Sequence, residues 1–295
     1  MDAKKINQIV LTAIKVVTVL VVALLIVIIA YIIGRGLPHM SLHFLFTESE
    51  AFLAGGGIST QLFDSFYILV LTLIIAAPLS LFAAIYLAFY APQNKLTAFL
   101  RMVIEVLSSL PSIVVGLFTY LIFVVNFNFG FSLLAGAISL TIFNLPILTR
   151  NFEESLDDID EAQMQGGLAL GLSKWKTITS IILPAALPGL ITGIILGAGR
   201  IFGEAAALIF TAGQSTSQVD FTNWNPFSSD SFLNIMRPAE TLAVHIWKLN
   251  SEGLVQDATE VSAASATVLV LIVIIFNLGA RALGANLRNK MMGDR

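Results

Sequence analysis

The sequence predicts an all-α integral membrane protein with six transmembrane helices. Of its 295 residues, 57% are hydrophobic and only 12% are charged, against about 45 to 50% and about 25% in a typical soluble domain. The apolar residues fall in separate blocks of about twenty, the length that a helix needs to cross a hydrocarbon core of about 30 Å. No sustained strand-like alternation occurs, which excludes an outer-membrane barrel.

Six apolar blocks define the predicted spans. In chain order they are 16–33, 66–91, 102–125, 131–148, 187–211 and 263–283. The first follows Lys4 and Lys5, as in an export signal, but it is too long for one and no small-x-small cleavage pattern follows it. The third and fourth contain Pro111 and Pro146, which membrane helices tolerate. We therefore expect six helices with both termini on the same side.

Basic residues predict which side that is, because Lys and Arg in short loops resist translocation. With the N-terminus inside, twelve fall in cytoplasmic segments: Lys4, Lys5, Lys15, Lys95, Arg101, Arg150, Lys174, Lys176, Arg281, Arg288, Lys290 and Arg295. Only Arg35, Arg237 and Lys248 fall outside. We therefore expect both termini in the cytoplasm.

This topology predicts two parts, an N-terminal anchor helix with an outer loop (1–65) and a transmembrane domain (66–295). Within the second part, residues 151–188 leave the membrane on the cytoplasmic side, and residues 213–262 form a polar outer loop that we expect to be ordered over the outer mouth. The chain has no cysteine, which excludes disulfides, thiolate metal sites and cysteine nucleophiles. His39 and His43 have no third ligand nearby, so we expect no metal site.

The cytoplasmic segment begins with acidic residues and then becomes small and apolar. The carboxylates are Glu153, Glu154, Asp157, Asp158, Asp160 and Glu161. The pattern that follows predicts a helix, a turn at Gly171 and a second helix that contains Trp175. The simplest alternative is a solvated acidic loop, but an apolar patch outside the membrane more often marks a partner protein.

This segment resembles the EAA loop of ABC-transporter permeases, a cytoplasmic coupling helix that contacts the ATPase. The residues that match the family's spacing are Gly171, Trp175, Ile181, Leu183 and Pro184. Gln165, Gly166 and Gly167 occupy the Glu-Ala-Ala triplet, so the family carboxylate is absent there. Glu161 lies one turn earlier on the same helical face and is the candidate replacement. The resemblance implies a type I ABC importer permease in which these residues couple to the ATPase.

The chain itself is not expected to bind nucleotide. Gly166 and Gly171 have the spacing of a phosphate-binding loop, but Leu172 follows where Lys is required, and no strand precedes them. The resemblance therefore implies that a partner subunit binds ATP and that this chain needs no cofactor. No catalytic triad is evident, so we expect a transport subunit and not an enzyme.

Arg200 and Glu204 lie inside the predicted fifth span, where charge is costly. Four residues apart, they are expected to share a helical face. Glycines at 189, 193, 197, 199 and 203 form a small-residue stripe that lets another helix approach closely. Arg200 is a candidate oxyanion contact, with Glu204 holding or releasing it. The alternative is that the two side chains only neutralise each other between packed helices.

Two further residues are candidates for the substrate path. Arg150, at the end of the fourth span, is a possible second anion contact, although an anchor that keeps its loop inside is the more ordinary role. Ser112 follows Pro111 and can line the path, but hydroxyls beside a membrane proline often satisfy freed backbone groups instead.

Four segments narrow the resemblance to the PstA family of phosphate permeases. They are 105–118 (EVLSSLPSIVVGLF), 144–154 (NLPILTRNFEE), 199–208 (GRIFGEAAAL) and 238–246 (PAETLAVHI). The family usually has Thr-Ala-Pro where this chain has three alanines, 205–207. The resemblance implies a bacterial inner-membrane importer of inorganic phosphate. Its other subunits are a second permease (PstC-like), two ATPases (PstB-like) and an external phosphate-binding protein (PstS-like).

Other transport functions remain open on the sequence. A permease of the same architecture for another oxyanion, such as sulfate or molybdate, is the nearest alternative. A proton-coupled secondary transporter with Glu204 as the proton site is a second.

Overall fold

The computed structural model describes residues 3–50, 55–215, 219–252 and 256–292. Parts of the predicted N-terminal region (51–54) and of the predicted outer loop (216–218 and 253–255) lie outside the described residues, as do the two chain ends whose side of the membrane the sequence predicts. Across the described ranges the chain is helical apart from loops and one isolated bridge between Asp220 and Ser231. The prediction of an all-α fold is confirmed.

Twelve α-helices are numbered in chain order within the described ranges. They are α1 Ala3–Gly36, α2 Leu42–Phe46, α3 Ser59–Ile85, α4 Lys95–Ser108, α5 Ser112–Thr119, α6 Leu133–Asp157, α7 Glu161–Ala169, α8 Lys174–Thr177, α9 Leu183–Phe202, α10 Leu208–Thr211, α11 Leu242–Glu252 and α12 Ala258–Met292. π-helical turns follow α3 (Tyr86–Tyr90) and α5 (Tyr120–Asn126), and a third (Ile178–Ile182) joins α8 to α9. A short 3-10 turn (Leu37–His39) follows α1.

Five helical segments of the described chain are long and apolar enough to cross a membrane. They are Asn7–His39, Ser59–Tyr90, Leu133–Asp157, Lys174–Phe202 and Ala258–Asn286. The helices α4 and α5 together form a sixth candidate, but they are bent by 99° where they meet. The bundle therefore has five spans, or six if the bent pair is counted as one.

The span predicted over 102–125 is not one continuous helix. The chain breaks between Ser108 and Ser112, and Pro111 takes extended backbone angles (φ −61°, ψ 135°) as the residue before α5. Proline has no N–H to donate and disfavours the helical conformation of the residue before it, here Leu110. A break rather than a mild kink results.

Two other predicted spans also differ from the structure in their boundaries. The helix α6 continues to Asp157 instead of ending near 148, so the predicted cytoplasmic segment 151–188 begins inside it. Ion pairs stabilise this extension, from Arg150 Nε to Glu154 Oε1 at 3.2 Å and from Arg101 Nη1 to Glu153 Oε1 at 2.5 Å. The fifth span begins earlier than predicted, at Lys174, and ends earlier, at Phe202.

The core lies where α3, α6 and α9 pack together, with α12 along the other side of α9. The first helix packs along α12, and its described side chains are almost all exposed, as expected of a helix in lipid. The two helices approach closely at Gly36, because a Cβ there would lie 2.1 Å from the carbonyl oxygen of Ala263. The hydroxyl of Thr267 also donates to the carbonyl of Ile32 at 3.0 Å.

The two ends of the bundle differ in what covers them. At one end, here called the α7 end, α6 leads into α7. The opposite end, the loop end, is covered by the chain between α10 and α11. There the N–H groups of Leu133 and Leu134, at the start of α6, donate to the carbonyls of Arg237 and Ile235 at 3.0 and 2.9 Å. These bonds fix the loop to the bundle.

The exposed part of this loop has its own turn. Asp220 accepts bonds from the hydroxyl of Thr222 at 2.6 Å and from its N–H at 2.8 Å. The bond from the hydroxyl has the larger effect, and together the two bonds hold the pKa of Asp220 below its ordinary value. Because the folded pKa is depressed, this stabilisation is present above the ordinary pKa of Asp and is lost only as the pH falls through the lower folded value.

Candidate substrate path and coupling segment

Arg200 lies in the last turn of α9, and its guanidinium packs on the ring of Phe143 at 4.3 Å from the centroid. Phe143 is ten residues from the start of the spanning helix α6 at Leu133 and fourteen from its end at Asp157. Arg200 is therefore close to the middle of the bundle, and its side chain is exposed within this single chain. A basic residue in a last turn also interacts favourably with the helix dipole.

Glu204 does not share a helical face with Arg200, so that expectation is wrong. The helix α9 ends at Phe202, and Gly203 to Ala207 form an irregular break before α10. The carboxylate of Glu204 accepts from the N–H of Ala207 at 3.4 Å. Within the described residues, no ion pair joins Arg200 to Glu204. Mutual neutralisation of the two charges is therefore not what the structure shows.

The break after α9 is packed against α5. A Cβ on Gly116 would lie 2.7 Å from the Cα of Ala207, so only glycine allows this approach. Ser112, one turn before Gly116, is the first residue of α5 and is partly buried. Ser112 therefore lies on α5, and Glu204 lies in the break that packs against α5.

Arg150 is not brought together with Arg200. It lies seven residues beyond Phe143 on α6, about 10 Å along the helix towards the α7 end. Its side chain is exposed and pairs with Glu154. Of the four predicted path residues, Arg200 and Glu204 lie on either side of the end of α9, Ser112 lies on α5, which packs on the break after α9, and Arg150 is separate.

The glycine stripe on α9 faces α6, as the pattern predicts. Added Cβ atoms would lie 2.8 Å from Ser155 Oγ at Gly189, 3.4 Å from Phe152 Cε1 at Gly193 and 3.0 Å from Leu148 Cδ2 at Gly197. Gly199 faces α12 instead. This close packing holds Arg200 beside the middle of α6.

The predicted coupling segment has the expected order of helix, glycine turn and helix. Asp160 begins α7 by accepting from the N–H of Ala162 at 2.9 Å. Gly171 has φ +80° and ends it, and the N–H of Leu172 reaches back to the carbonyl of Gly167 at 3.2 Å. This is a Schellman ending, which favours glycine at the position of positive φ. Ser173 then caps α8.

The triplet that replaces Glu-Ala-Ala has one packed and one open glycine. A Cβ on Gly167 would lie 2.4 Å from Thr177 Cγ2 and 3.1 Å from Ile181 Cδ1, whereas Gly166 has open space around it. Gln165 donates to Glu161 at 3.4 Å, so these two side chains do share a face. The helix α7 therefore packs directly on the π-helical turn that leads into α9.

An apolar surface is exposed beside this turn. Leu170 is 81% exposed and Trp175 is 49% exposed, although both lie outside the bundle core. Exposed large apolar side chains at one place commonly mark a contact with another protein.

Cations that the sequence analysis assigned only to topology also join elements here. Lys174 donates to the carbonyl of Phe89 and lies 4.8 Å from the ring centroid of Tyr90, while Arg101 donates to the carbonyl of Leu87 at 3.3 Å. These carbonyls lie in the turn that ends α3, where helices leave acceptors free. The signal in the sequence is a set of basic residues near a helix end.

A buried ionic cluster at the loop end was not predicted. Arg237 pairs with Asp64 through Nη2 to Oδ1 at 2.5 Å, and both side chains are essentially inaccessible. Beside them Glu240 contacts His245 Nδ1 at 3.2 Å and Lys248 Nζ at 3.6 Å. The sequence signal was an Asp in the first turns of one span and a basic residue in the loop expected at the same end.

Comparison with known proteins identifies the family. The family model for the binding-protein-dependent transport system inner membrane component matches residues 77–293. The chain is 48% identical over 275 residues to the probable ABC transporter permease protein YqgI of Bacillus subtilis (strain 168), covering 93% of this chain and 94% of that protein. It is 34% identical to the phosphate transport system permease protein PstA of Yersinia pestis, covering 86% and 81%. The PstA of Xylella fastidiosa (strain 9a5c) is 32% identical, with 89% and 86% covered.

Solved structures share the fold. A chain of the bacterial alginate ABC transporter, crystallised with its alginate pentasaccharide-bound periplasmic protein, aligns with a TM-score of 0.66 at 12% identity, covering 97% of both chains. A chain of the inward-facing MetNI methionine ABC transporter aligns at 0.57 and 17% identity, covering 78% of this chain and 94% of that one. At these identities they establish the type I ABC importer permease fold and no more.

The predicted resemblance to the PstA permeases is thus confirmed over most of the chain. A permease of this kind is a transport subunit that works with separate ATPase and substrate-binding partners, embedded in the bacterial inner membrane. The chain belongs to the family of binding-protein-dependent transport system inner membrane components, as a permease subunit of an ABC importer.

Proposed function

We propose that the chain is a permease subunit of an importer for inorganic phosphate that works by alternating access. The proposed cargo follows the names of the PstA relatives, which cover more than four fifths of this chain. The observation that carries the proposal is Arg200, a guanidinium close to the middle of the bundle that has no ion-pair partner among the described residues.

An arginine at this depth is costly, by about 2.5 to 3.5 kcal/mol on insertion scales, unless it has a partner or a polar path. The guanidinium carbon lies over the ring of Phe143, and the N–H groups form no hydrogen bond with any described residue. The edge that carries these N–H groups matches two oxygens of a tetrahedral oxyanion.

Glu204 fits the proposal because it does not cancel this charge. A free carboxylate beside the path would repel an anion, but Glu204 is bonded to the backbone of the break that it belongs to. Its proposed role is to hold this break, and thereby the position of Arg200, in one state of the transport cycle.

The proposed assembly follows the PstA relatives. The chain would pair with a PstC-like second permease, two PstB-like ATPases and a PstS-like phosphate-binding protein. We place the α7 end and both termini in the cytoplasm, as the basic residues predict. The proposed ATPase contacts are Glu161, Gln165, Gly166, Gly167, Gly171 and Trp175.

The test is phosphate uptake by the reconstituted complex. Arg200→Ala should abolish uptake while co-purification shows an intact complex, and Arg200→Lys should retain only part of it because the fork of donors is lost. The matched control is Arg35→Ala, which removes an exposed arginine bonded to Tyr31 on α1. Normal uptake by Arg200→Ala would overturn the proposal.

A guanidinium does not by itself distinguish phosphate from sulfate or molybdate, so competition is the second experiment. Phosphate should displace labelled phosphate, and a large excess of sulfate or molybdate should not. Stimulation of the ATPase only by a sulfate-loaded binding protein would reassign the cargo. Uptake that continues without any ATPase but stops when the proton gradient collapses would instead favour a secondary transporter.

A further inference from the structure

A cavity of about 1040 Å³ lies between α6, α9 and α12 at the α7 end of the bundle. Its wall includes Leu196 and Thr192 on α9, Asn151 on α6, Asp158 just after α6, and Arg281 on α12. None of the comparisons or the sequence motifs assigns a role to this space, and the sequence analysis counted Arg281 only as a basic residue near the chain's end.

Contacts between helices give the depth of each wall residue. A Cβ on Gly284 of α12 would lie 2.5 Å from Oγ1 of Thr192 on α9, and a Cβ on Gly199 of α9 would lie 3.6 Å from Nδ2 of Asn277 on α12. The later residue of α12 thus meets the earlier residue of α9, so the two helices run antiparallel. Arg281 lies three residues from Gly284 towards Asn277, about 4.5 Å closer to the middle of the bundle. It is therefore roughly level with Leu196.

The same cavity leads towards Arg200. Leu196 is 42% exposed and lies one helical turn before Arg200 on the same face of α9. The glycine contacts described above place Asn151 and Ser155 beside the lower turns of α9. The cavity thus extends along α9 from the α7 end to Leu196, one helical turn from the candidate oxyanion contact.

The charges of the wall are sorted by depth. Arg281 lies at the deep end and forms no hydrogen bond or ion pair with any described side chain. The carboxylates are nearer the mouth: Glu154 is paired with Arg150, Asp160 caps α7, and Asp158 lies just after the end of α6. An anion leaving Arg200 would meet a second cation first and the negative rim last.

We propose that this cavity is the inner half of the oxyanion path and that Arg281 is a second anion contact within it. This inference rests on the proposed function for the direction of transport and deepens it. Arg281 attracts the anion once it leaves Arg200. The rim carboxylates lower the affinity of the inward-open state for an anion, which favours release into the cytoplasm.

The test uses the absence of cysteine from this chain. Leu196→Cys places one thiol in the cavity, and Ser180→Cys, exposed on the turn before α9 and outside the cavity wall, is the control. The nucleotide-free complex is treated from the α7 side with an anionic sulfonatoethyl and a cationic trimethylammonioethyl methanethiosulfonate. Modification of this chain is measured by mass.

The ratio of anionic to cationic rates at Leu196→Cys should fall about tenfold when Arg281→Gln is added. It should stay near its starting value with Arg281→Lys, which keeps the charge and controls for misfolding, and neither change should alter the ratio at Ser180→Cys. A thiol that reacts with neither reagent, or a ratio that Arg281→Gln leaves unchanged, would overturn the inference.

Uptake separates this inference from the proposed cargo. Arg281→Gln should lower phosphate uptake about tenfold with the complex intact, and Arg281→Lys should restore most of it. If the reagent ratio responds to Arg281 but phosphate is not transported, the anion path stands and the cargo is wrong. If phosphate is transported and the ratio does not respond, the path lies elsewhere.

Discussion

Gly166 and Gly167 are neighbours in sequence with opposite surroundings, and this makes them a matched pair. The first has open space where a side chain would begin, and the second is pressed on Thr177 and Ile181. Only the second position fixes the distance between α7 and the start of the long helix that leads to Arg200.

We therefore expect Gly167→Ala to separate α7 from the turn at Ile178–Ile182, at a cost of about 1 to 3 kcal/mol in overpacking. ATPase stimulation by the loaded binding protein should fall several-fold in this variant. Gly166→Ala adds a methyl group where no atom lies within 4 Å, so it should leave the unfolding midpoint unchanged and controls for the packing effect. Stimulation in Gly167→Ala equal to that of the unaltered chain would show that this contact does not carry coupling.

Asp64 and Arg237 form the most deeply buried ion pair among the described residues. Removing one partner of such a pair leaves an uncompensated charge, which commonly costs about 3 to 5 kcal/mol. We expect Asp64→Asn to lower the thermal unfolding midpoint of the purified chain and to loosen the loop between α10 and α11.

The control for this pair is Glu154→Gln, which removes the exposed pair with Arg150 and should cost at most about 0.5 kcal/mol. An Asp64→Asn variant as stable as Glu154→Gln would mean that the other bonds hold the loop, among them the backbone bonds to Leu133 and Leu134 and the bond from the Tyr67 hydroxyl to the carbonyl of Leu233.

At the scale of elements, the sequence predicted apolar segments well and breaks in them poorly. Length and hydrophobicity mark a span without revealing where its helix stops. Pro111 was treated as tolerable because many membrane helices contain proline, and Pro78 and Pro146 are indeed inside continuous helices. The outcome depends on whether neighbouring elements repair the lost bond, and that is decided by packing.

The end of α9 illustrates the same limit. Spacing alone suggested that Arg200 and Glu204 face the same way, because nothing in the 199–208 segment forbids a helix. The helix ends at Phe202, and the break that follows packs on α5, where Gly116 lies against Ala207. A long-range contact of this kind has no local signal.

The order of the coupling segment could be predicted because its signals are local. Asp160 and Ser173 are side-chain caps, and Gly171 has the positive φ that a Schellman ending requires. The cations that join this segment to α3 were visible in composition, but their acceptors, carbonyls at a helix end, become available only once the fold is formed.

At the scale of the molecule, α1 is attached to the bundle along α12 and adds little to the core. The family model begins at residue 77, after this helix. These two facts fit the predicted division into an N-terminal anchor and a transmembrane domain, whose boundary near residue 65 remains a prediction.

The attachment of α1 can be tested with a second pair of glycines. Gly36→Val would drive a side chain into the backbone of Ala263, whereas Gly34 has no atom within 4 Å of an added Cβ. We expect Gly36→Val to destabilise the purified chain by about 1 to 3 kcal/mol and Gly34→Val to have no measurable effect on the unfolding midpoint. Identical midpoints would show that α1 is not held at this contact.

One continuous helical segment, Lys174–Phe202, carries Trp175 near one end and Arg200 near the other. At 1.5 Å per residue the two are about 37 Å apart, so a tilt of roughly 10° about one end would sweep the other through some 6 Å. If the α7 end faces the cytoplasm, as proposed above, a displacement there can therefore reach Arg200 as the swing of one helical segment, without a relay of switching side chains between them.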